Sequence, residues 1–313
     1  MVHLFRVLKD PDMKYGEGTA RLPEIHRGMC MGRKYMKSIA FAAAALVSLG
    51  LAGCGASESE LPDLSGLGGI TVVAREEGSG TRSEFETLVD TAEEGANEVV
   101  LSTEQVLELV SDDENAIGYV AFSAIGDTSY VTVLSVDGVA CTADTIGDGD
   151  YPLGREYILA YSGTLSDLES DFLTYVRSAG QDIAAQICTP VRSSTVFLSN
   201  GESGLITISG SSSMETLITE LIADYQTYNP NAEFEVSISD STEGLNEAMR
   251  GECDFAMSSR SLKSYEEELL EYKAIAADGI AVVVNSENPL TDISTKRLKS
   301  IYDGDVTVWS DLQ

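Results

Sequence analysis

Histidine is nearly missing from this sequence of 313 residues: there are two, His3 and His26. Both precede a short apolar segment at 38–53 that has the plan of an export signal, so a chain trimmed there carries none. Without histidine, Ser-His-Asp and Cys-His catalysis and the common zinc sites are excluded. Basic residues are scarce too: 20 Lys and Arg stand against 51 Asp and Glu, a formal net charge of -31. Neutralising a phosphodiester backbone needs the opposite balance, which excludes nucleic acid as a partner. The acidic surface reads first as a solubility device. No apolar run reaches the about 20 residues of a comfortable membrane span. No Gly-rich loop is followed by Gly-Lys-Ser/Thr, so there is no nucleotide P-loop. Beyond residue 54 only Cys141, Cys188 and Cys253 remain. Their spacing matches no metal motif, and an odd number cannot pair completely. Buried free thiols, or one disulfide in an oxidising location, both stay open. Neither a metal nor a cofactor is expected.

What is present begins with the export segment. Arg33, Lys34 and Lys37 precede the apolar stretch as a positive region, and Leu51-Ala-Gly-Cys54 closes it. This resembles a bacterial lipoprotein signal, in which Cys54 becomes the lipidated N-terminus on the outer face of the cell membrane. A secretory signal with a chance cysteine is the plainer alternative. Residues 1–30 fit no signal plan, and translation from Met31 or Met36 would account for them. Residues 1–53 are therefore set aside as the signal region, and 54–69 read as a Gly/Ser-rich tether.

After the tether, β-branched and aromatic runs alternate with helical periods. Ile70–Ala74, Ala116–Ala121, Tyr130–Ser135, Tyr157–Tyr161, Leu205–Ser209, Phe234–Ile238 and Ile280–Asn285 read as strands. Met214, Leu217, Ile218, Leu221, Ile222 and Tyr225 fall on one helix face; Phe85, Leu88 and Val89 begin another; Leu298, Ile301 and Tyr302 mark a third. The alternation predicts layered α/β structure.

Three loops share a design of strand, small polar residues, then helix. They are Ile70-Thr-Val-Val-Ala-Arg-Glu-Glu-Gly-Ser-Gly-Thr-Arg82, Ile206-Thr-Ile-Ser-Gly-Ser-Ser-Ser-Met214 and Val236-Ser-Ile-Ser-Asp-Ser-Thr-Glu-Gly-Leu245. Each places free N–H groups and hydroxyls at a helix start, where an oxyanion is favoured by N–H geometry and by the helix dipole. Singly, such a loop reads as ordinary capping; Ser212-Ser-Met-Glu215 fits a capping box. Three together, with Arg75 ahead of Gly78-Ser-Gly-Thr81, point to an anion site. Arg75 supplies a planar, two-pronged, charge-assisted donor.

These segments resemble the phosphate-binding proteins of bacterial ABC transporters. Arg75-Glu-Glu-Gly-Ser-Gly-Thr-Arg82 is close to that family's most specific motif, and Gly210-Ser-Ser-Ser-Met214 looks like its first phosphate loop. Asp254-Phe-Ala-Met-Ser-Ser-Arg-Ser-Leu262, Asp278-Gly-Ile-Ala-Val-Val-Val-Asn285 and Trp309-Ser-Asp311 also match, so the likeness spans about 70–313. In common members the serine loop comes first. Here the usual second half, about 70–198, precedes the usual first half, about 204–313, which reads as a circular permutation with 188–204 as connector.

The resemblance implies a two-lobed α/β fold of the periplasmic-binding-protein type II class, circularly permuted, with the ligand in the cleft between lobes. Residues 70–150 plus 286–313 are expected in lobe one and 151–285 in lobe two. Strands near Tyr157–Tyr161 and Ile280–Asn285 are expected to cross between them. The implied phosphate ligands are Arg75, Ser79, Gly80, Thr81, Ser212, Ser213, Ser241 and Ser259. Ser259 stands where many members have an aspartate that accepts the phosphate proton; Asp278 is the first replacement and Asp240 the second. Arg260 reads as structural or rim-forming. The implied function is non-catalytic capture of inorganic phosphate outside the cytoplasm, for an ABC permease and its ATPase, with the lipid on Cys54 as membrane anchor. Another oxyanion such as sulfate or molybdate, or a surface phosphate sensor, is the alternative.

Overall fold

The computed structural model describes residues 61–126 and 129–312, together with the backbone of 3–6. The signal segment and Cys54 lie outside the described residues. In chain order the strands are β1 (His3–Arg6), β2 (Thr71–Arg75), β3 (Glu98–Val100), β4 (Ala116–Ala121), β5 (Val131–Val133), β6 (Ser135–Val136), β7 (Gly154–Tyr161), β8 (Gly204–Ser211), β9 (Ala232–Ser239), β10 (Phe255–Ser258), β11 (Glu271–Asn285) and β12 (Asp292–Ile293). Ten of them form one sheet in the order β1-β9-β8-β10-β7-β11-β4-β2-β3, with β5 also on β11. The outer parts are parallel, β3 and β4 on β2 and β9 and β10 on β8. The centre is antiparallel, because β7 and β11 are long and run opposite to each other.

Two large hydrophobic cores lie along this sheet, with a small third cluster around Leu245, Ala248, Ala256 and Leu270. One gathers residues from Leu64 to Leu153 and from Ile280 to Leu312; the other runs from Tyr157 to Ala276. The chain changes core twice, between Leu153 and Tyr157 and between Ala276 and Ile280, within β7 and β11. β11 pairs with β7 from Glu271 to Gly279 and with β4 from Ile280 to Val284, so one 15-residue strand belongs to both lobes. Its first half escapes a pattern reading because Lys273-Ala-Ile-Ala-Ala277 has neither strict alternation nor β-branched density.

Local sequence explains most elements. The helix Glu215–Tyr228 buries Leu217, Ile218, Leu221, Ile222 and Tyr225, each side chain contributing about 1.5–3 kcal/mol when fully removed from water. All six residues of β4 are buried, as befits a strand flanked on both edges. The C-terminal segment returns to the first strand of lobe one: Ile70 donates to the Thr307 carbonyl at 2.8 Å, and Trp309, fully buried, donates from its backbone to Gly68 at 3.2 Å. Four residues of the N-terminal region set aside from the sequence do form a strand, β1, antiparallel on β9.

Candidate anion site between the lobes

All three small-residue loops have the expected form. β2 leads into helix Gly80–Val89, β8 into a short 3-10 turn and helix Glu215–Tyr228, and β9 into helix Ser241–Arg250. They differ in how the helix start is satisfied. Ser79 accepts from the Arg82 N–H and Asp240 from the Glu243 N–H, so the first and third loops cap themselves. The capping box expected at Ser212–Glu215 does not form. Ser212 and Ser213 turn their hydroxyls across the cleft instead. Arg75 Nη2 reaches Ser212 Oγ at 3.4 Å, and Thr81 Oγ1 lies 2.9 Å from Ser213 Oγ.

The lobes meet closely here. A side chain on Gly80 would place its Cβ 2.1 Å from Ser241 Oγ and 2.5 Å from Ser259 Oγ, so only glycine lets this helix start approach lobe two. Ser259 Oγ in turn sits 2.9 Å from Ser211 Oγ, and its N–H donates to Ser241 Oγ at 3.1 Å. Thr242 donates through both N–H and hydroxyl to the Gly78 carbonyl, at 3.3 and 3.1 Å. Gly80, Thr81, Ser213, Ser241 and Ser259 thus form one buried cluster, with Arg75 and Ser212 beside it. A cavity of about 660 Å³ adjoins it, lined by Ser212, Ser213 and Asp240 among others, with Glu76 and Glu104 on the opposite lobe.

Arg75 is 2% exposed. Its Nε and Nη2 hold the Glu76 carboxylate at 2.8 and 2.9 Å. This pair fixes the plane of the fork and leaves Nη1 and part of Nη2 for neighbours, Thr103 and Ser212 among them. Its backbone is pinned as well: the N–H donates to Tyr119 Oη at 3.2 Å, and the carbonyl accepts from Arg82 Nη1 at 3.0 Å.

A scan against family models matches the PBP superfamily domain over residues 60–179 and 195–313. The phosphate-binding protein PstS 2 of Streptococcus pneumoniae is 32% identical over 293 residues, covering 90% of this chain and all of that one. Its counterpart in Streptococcus agalactiae is 34% identical over 297 residues, covering 90% and 99%. A crystal structure of a phosphate-binding protein of a phosphate ABC transporter from Streptococcus pneumoniae superposes with a TM-score of 0.65 at 32% identity, over 79% of this chain and 100% of that one. The chain belongs to the PstS family of phosphate-binding proteins. Its fold is therefore that of the two-lobed substrate-binding components.

Asp278 does not stand where a proton acceptor for a ligand would. It is 1% exposed, and both carboxylate oxygens are engaged by protein donors. Oδ1 accepts from the Ser123 N–H at 2.9 Å; Oδ2 accepts from Tyr157 Oη at 2.7 Å and Arg155 Nη2 at 3.0 Å. Asp278 sits inside β11, paired in register with Arg155 of β7. Reading the sequence for a free acceptor missed its partner. Arg155 has a fully buried side chain and lies directly beneath the cluster, donating from Nη1 to Thr81 Oγ1 at 2.8 Å and to the Ser259 carbonyl at 3.2 Å. A signal existed: Arg155, Tyr157 and Leu159 alternate onto one face of the strand, opposite Glu156, and a lone charge on a face that is otherwise aromatic and apolar needs a buried partner.

Proposed function

We propose that the chain is an extracytoplasmic solute-binding lipoprotein that captures inorganic phosphate between its lobes, without turning it over, and delivers it to an ABC permease and its ATPase. The observation that carries this reading is the meeting of three hydroxyl-rich loops, two of them at α-helix starts, beside one arginine whose charge is largely balanced by Glu76. Such a site binds through many neutral hydrogen bonds and few charges. It therefore works inside a strongly acidic protein, whose repulsive field is screened beyond about 8 Å at physiological salt. Asp240, which lines the cavity beside Ser212 and Ser213, takes the role of acceptor for a ligand proton in this reading. An acceptor carboxylate favours protonated phosphate over sulfate, which brings no proton at neutral pH.

Calorimetry of the protein against phosphate, arsenate, sulfate and molybdate tests the proposal. Tight phosphate and arsenate binding with weak sulfate binding is expected. Preference for sulfate or molybdate would move the reading to another oxyanion. Absence of any binding would leave the fold without this function, and hydrolysis of a phosphate ester would make it an enzyme. The anchor is tested separately: Cys54→Ala should abolish metabolic lipid labelling.

The permuted order belongs to the same proposal. What supports it is the bridge between Gly69 and Val308, which brings the segment after helix Thr295–Tyr302 beside the start of β2. A protein relinked from its end to Gly69 and opened near Ser203 should fold and bind phosphate. A relinked protein that folds and does not bind would overturn the equivalence.

A further inference from the structure

The strongest unassigned feature is the buried charge pair under the cleft. Arg155 and Asp278 face each other across β7 and β11, where the chain passes from one core to the other. Neither side chain is exposed to solvent. Arg155 makes four contacts that bridge both lobes. Nη1 donates to Thr81 Oγ1 in lobe one at 2.8 Å and to the Ser259 carbonyl in lobe two at 3.2 Å. Nη2 donates to Asp278 Oδ2 at 3.0 Å and to Tyr157 Oη at 3.3 Å. Tyr157 closes the group: its hydroxyl lies 2.7 Å from Asp278 Oδ2 and 3.1 Å from the Ser213 carbonyl.

We propose that Arg155 is a positioning residue for anion capture, acting through the Thr81 hydroxyl. This rests on the phosphate-binding reading given above. Hydrogen-bond polarity gives Arg155 this role. A guanidinium has donors and no acceptor and stays protonated, so the Arg155–Thr81 bond has a single direction. Thr81 Oγ1 accepts from it. The one hydroxyl proton of Thr81 then points away from Arg155, toward Ser213 Oγ and the cleft. An oxyanion offers acceptors only, so a hydroxyl already set as donor meets it without reorganisation. Asp278 and Tyr157 hold the guanidinium in the plane that makes this possible. Arg155 does not line the cavity; its contact toward it runs through Thr81 and the Ser259 carbonyl.

The same contacts have a second consequence. Thr81 is carried by lobe one, Ser259 and Ser213 by lobe two, and one guanidinium bonds to the first two while its tyrosine partner bonds to the third. The pair therefore ties closure of the cleft to the orientation of the ligand hydroxyl.

The test is a double-mutant cycle in phosphate affinity, using the wild type, Arg155→Lys, Thr81→Val and the double variant. A lysine keeps the charge beside Asp278 but cannot serve Asp278, Thr81 and Ser259 together. Arg155→Lys should lose about tenfold in affinity, the scale of one misdirected hydrogen bond. Thr81→Val should lose at least as much. The double variant should bind like Thr81→Val alone, since a positioning effect has nothing left to position. A residue that merely stabilises the fold would lower the melting temperature without this non-additivity. If Arg155→Lys binds like wild type, or its loss persists undiminished in the Thr81→Val background, the inference is wrong. Should Arg155→Lys fail to fold, Asp278→Asn in the same cycle replaces it, and additive losses there overturn the proposal equally. A wild type that binds no phosphate would overturn the phosphate reading instead, so the two failures are distinguishable.

Discussion

Among the described residues, the pairs Arg260–Glu266 and Arg155–Asp278 have both side chains buried, and they are used in opposite ways. Arg260 and Glu266 are six residues apart and form a two-pronged bond, with both contacts at 2.8 Å. The remaining partners of that pair are also nearby in sequence or in the same lobe: the Ser261 carbonyl, the Lys263 N–H, Tyr265 and Thr242. Arg155 and Asp278 are 123 residues apart, share a single contact at 3.0 Å, and spend their other bonds on groups from both lobes. The first pair closes a loop on itself. The second distributes its donors over the floor of the cleft. Burial and charge are the same in both, so neither separates a structural arginine from a functional one; the address of the remaining donors does.

The sharpest way to break this comparison is to remove each function where it should be absent. Arg260→Met leaves Glu266 buried without its partner, and loss of one member of such a pair costs about 3–5 kcal/mol. Urea unfolding should show a loss of that size, while phosphate affinity of the folded fraction stays within about twofold. The pH dependence carries a second signature. Burial alone would raise the Glu266 carboxyl, but the Arg260 and Lys263 hydrogen bonds outweigh it and hold it below its usual value. Its contribution is thus present above pH about 4.5 and lost as pH falls through the depressed value; Arg260→Met should remove that acid-side loss. A large drop in affinity instead would make Arg260 part of the site.

Gly80→Ala is the converse, a change confined to the cleft. Alanine suits the first turn of a helix, so lobe one should remain as stable as before. Its methyl would meet the Ser241 and Ser259 hydroxyls at 2.1 and 2.5 Å and hold the lobes apart. Affinity should fall about a hundredfold or more, roughly 2.7 kcal/mol, with melting temperature unchanged. Small-angle scattering with phosphate present should show a more open molecule than wild type. Arg75→Ala should have the next largest effect. Because Glu76 already shares its guanidinium, the expected loss is that of one charge-assisted hydrogen bond, about 1.5–3 kcal/mol, or tenfold to a hundredfold by calorimetry. Wild-type affinity in Arg75→Ala would place the anion elsewhere.

The sequence was informative where chemistry is local. The three strand–loop–helix units and the helix faces at Leu217–Tyr225 are each set by neighbours in the chain, and each is found where its pattern places it. β4 runs from Ala116 to Ala121 as its β-branched density indicates. What stayed hidden depends on partners distant in sequence. Asp278 reads as an open acceptor until β7 and β11 are paired, and Arg155 does not stand out in the sequence for the same reason. The crossing half of β11 has no periodicity of its own, since it is buried by different elements along its length. Tyr130–Ser135 reads as one strand but divides into β5 and β6, with Leu134 turning into the core between them.

A third carboxylate sets the lower end of the comparison, because it has an arginine beside it and gains little from it. The Glu93 side chain is fully buried, 3.4 Å from Arg82 Nε, yet neither of its oxygens has a hydrogen-bond partner. It lies by the stacked rings of Phe85 and Tyr119, with Tyr302 edge-on to Phe85. Burial pushes its carboxyl up to about 8, against the pull of Tyr119 and Arg82. In the unfolded chain the same group ionises near 4.5. The native state therefore binds an extra proton between those values. Its contribution to stability is complete below about 4.5 and is lost as pH rises through about 8. From pH 7 to pH 9 the wild type should lose roughly 1 kcal/mol more than Glu93→Gln, which cannot ionise at this position. Urea unfolding of both proteins at half-unit steps measures the difference directly. Parallel curves would mean that Arg82 pairs with Glu93 as firmly as Arg260 does with Glu266, and that proximity alone suffices. Diverging curves would mean that it does not: in this protein a buried carboxylate is secured by donors aimed at its oxygens, which Glu266 and Asp278 have and Glu93 lacks. The distinction reaches the cleft, because Arg82 also holds the Arg75 carbonyl and Tyr119 its N–H. An ionised Glu93 would compete for the Arg82 guanidinium, so phosphate affinity in the wild type should change across the same pH interval relative to Glu93→Gln.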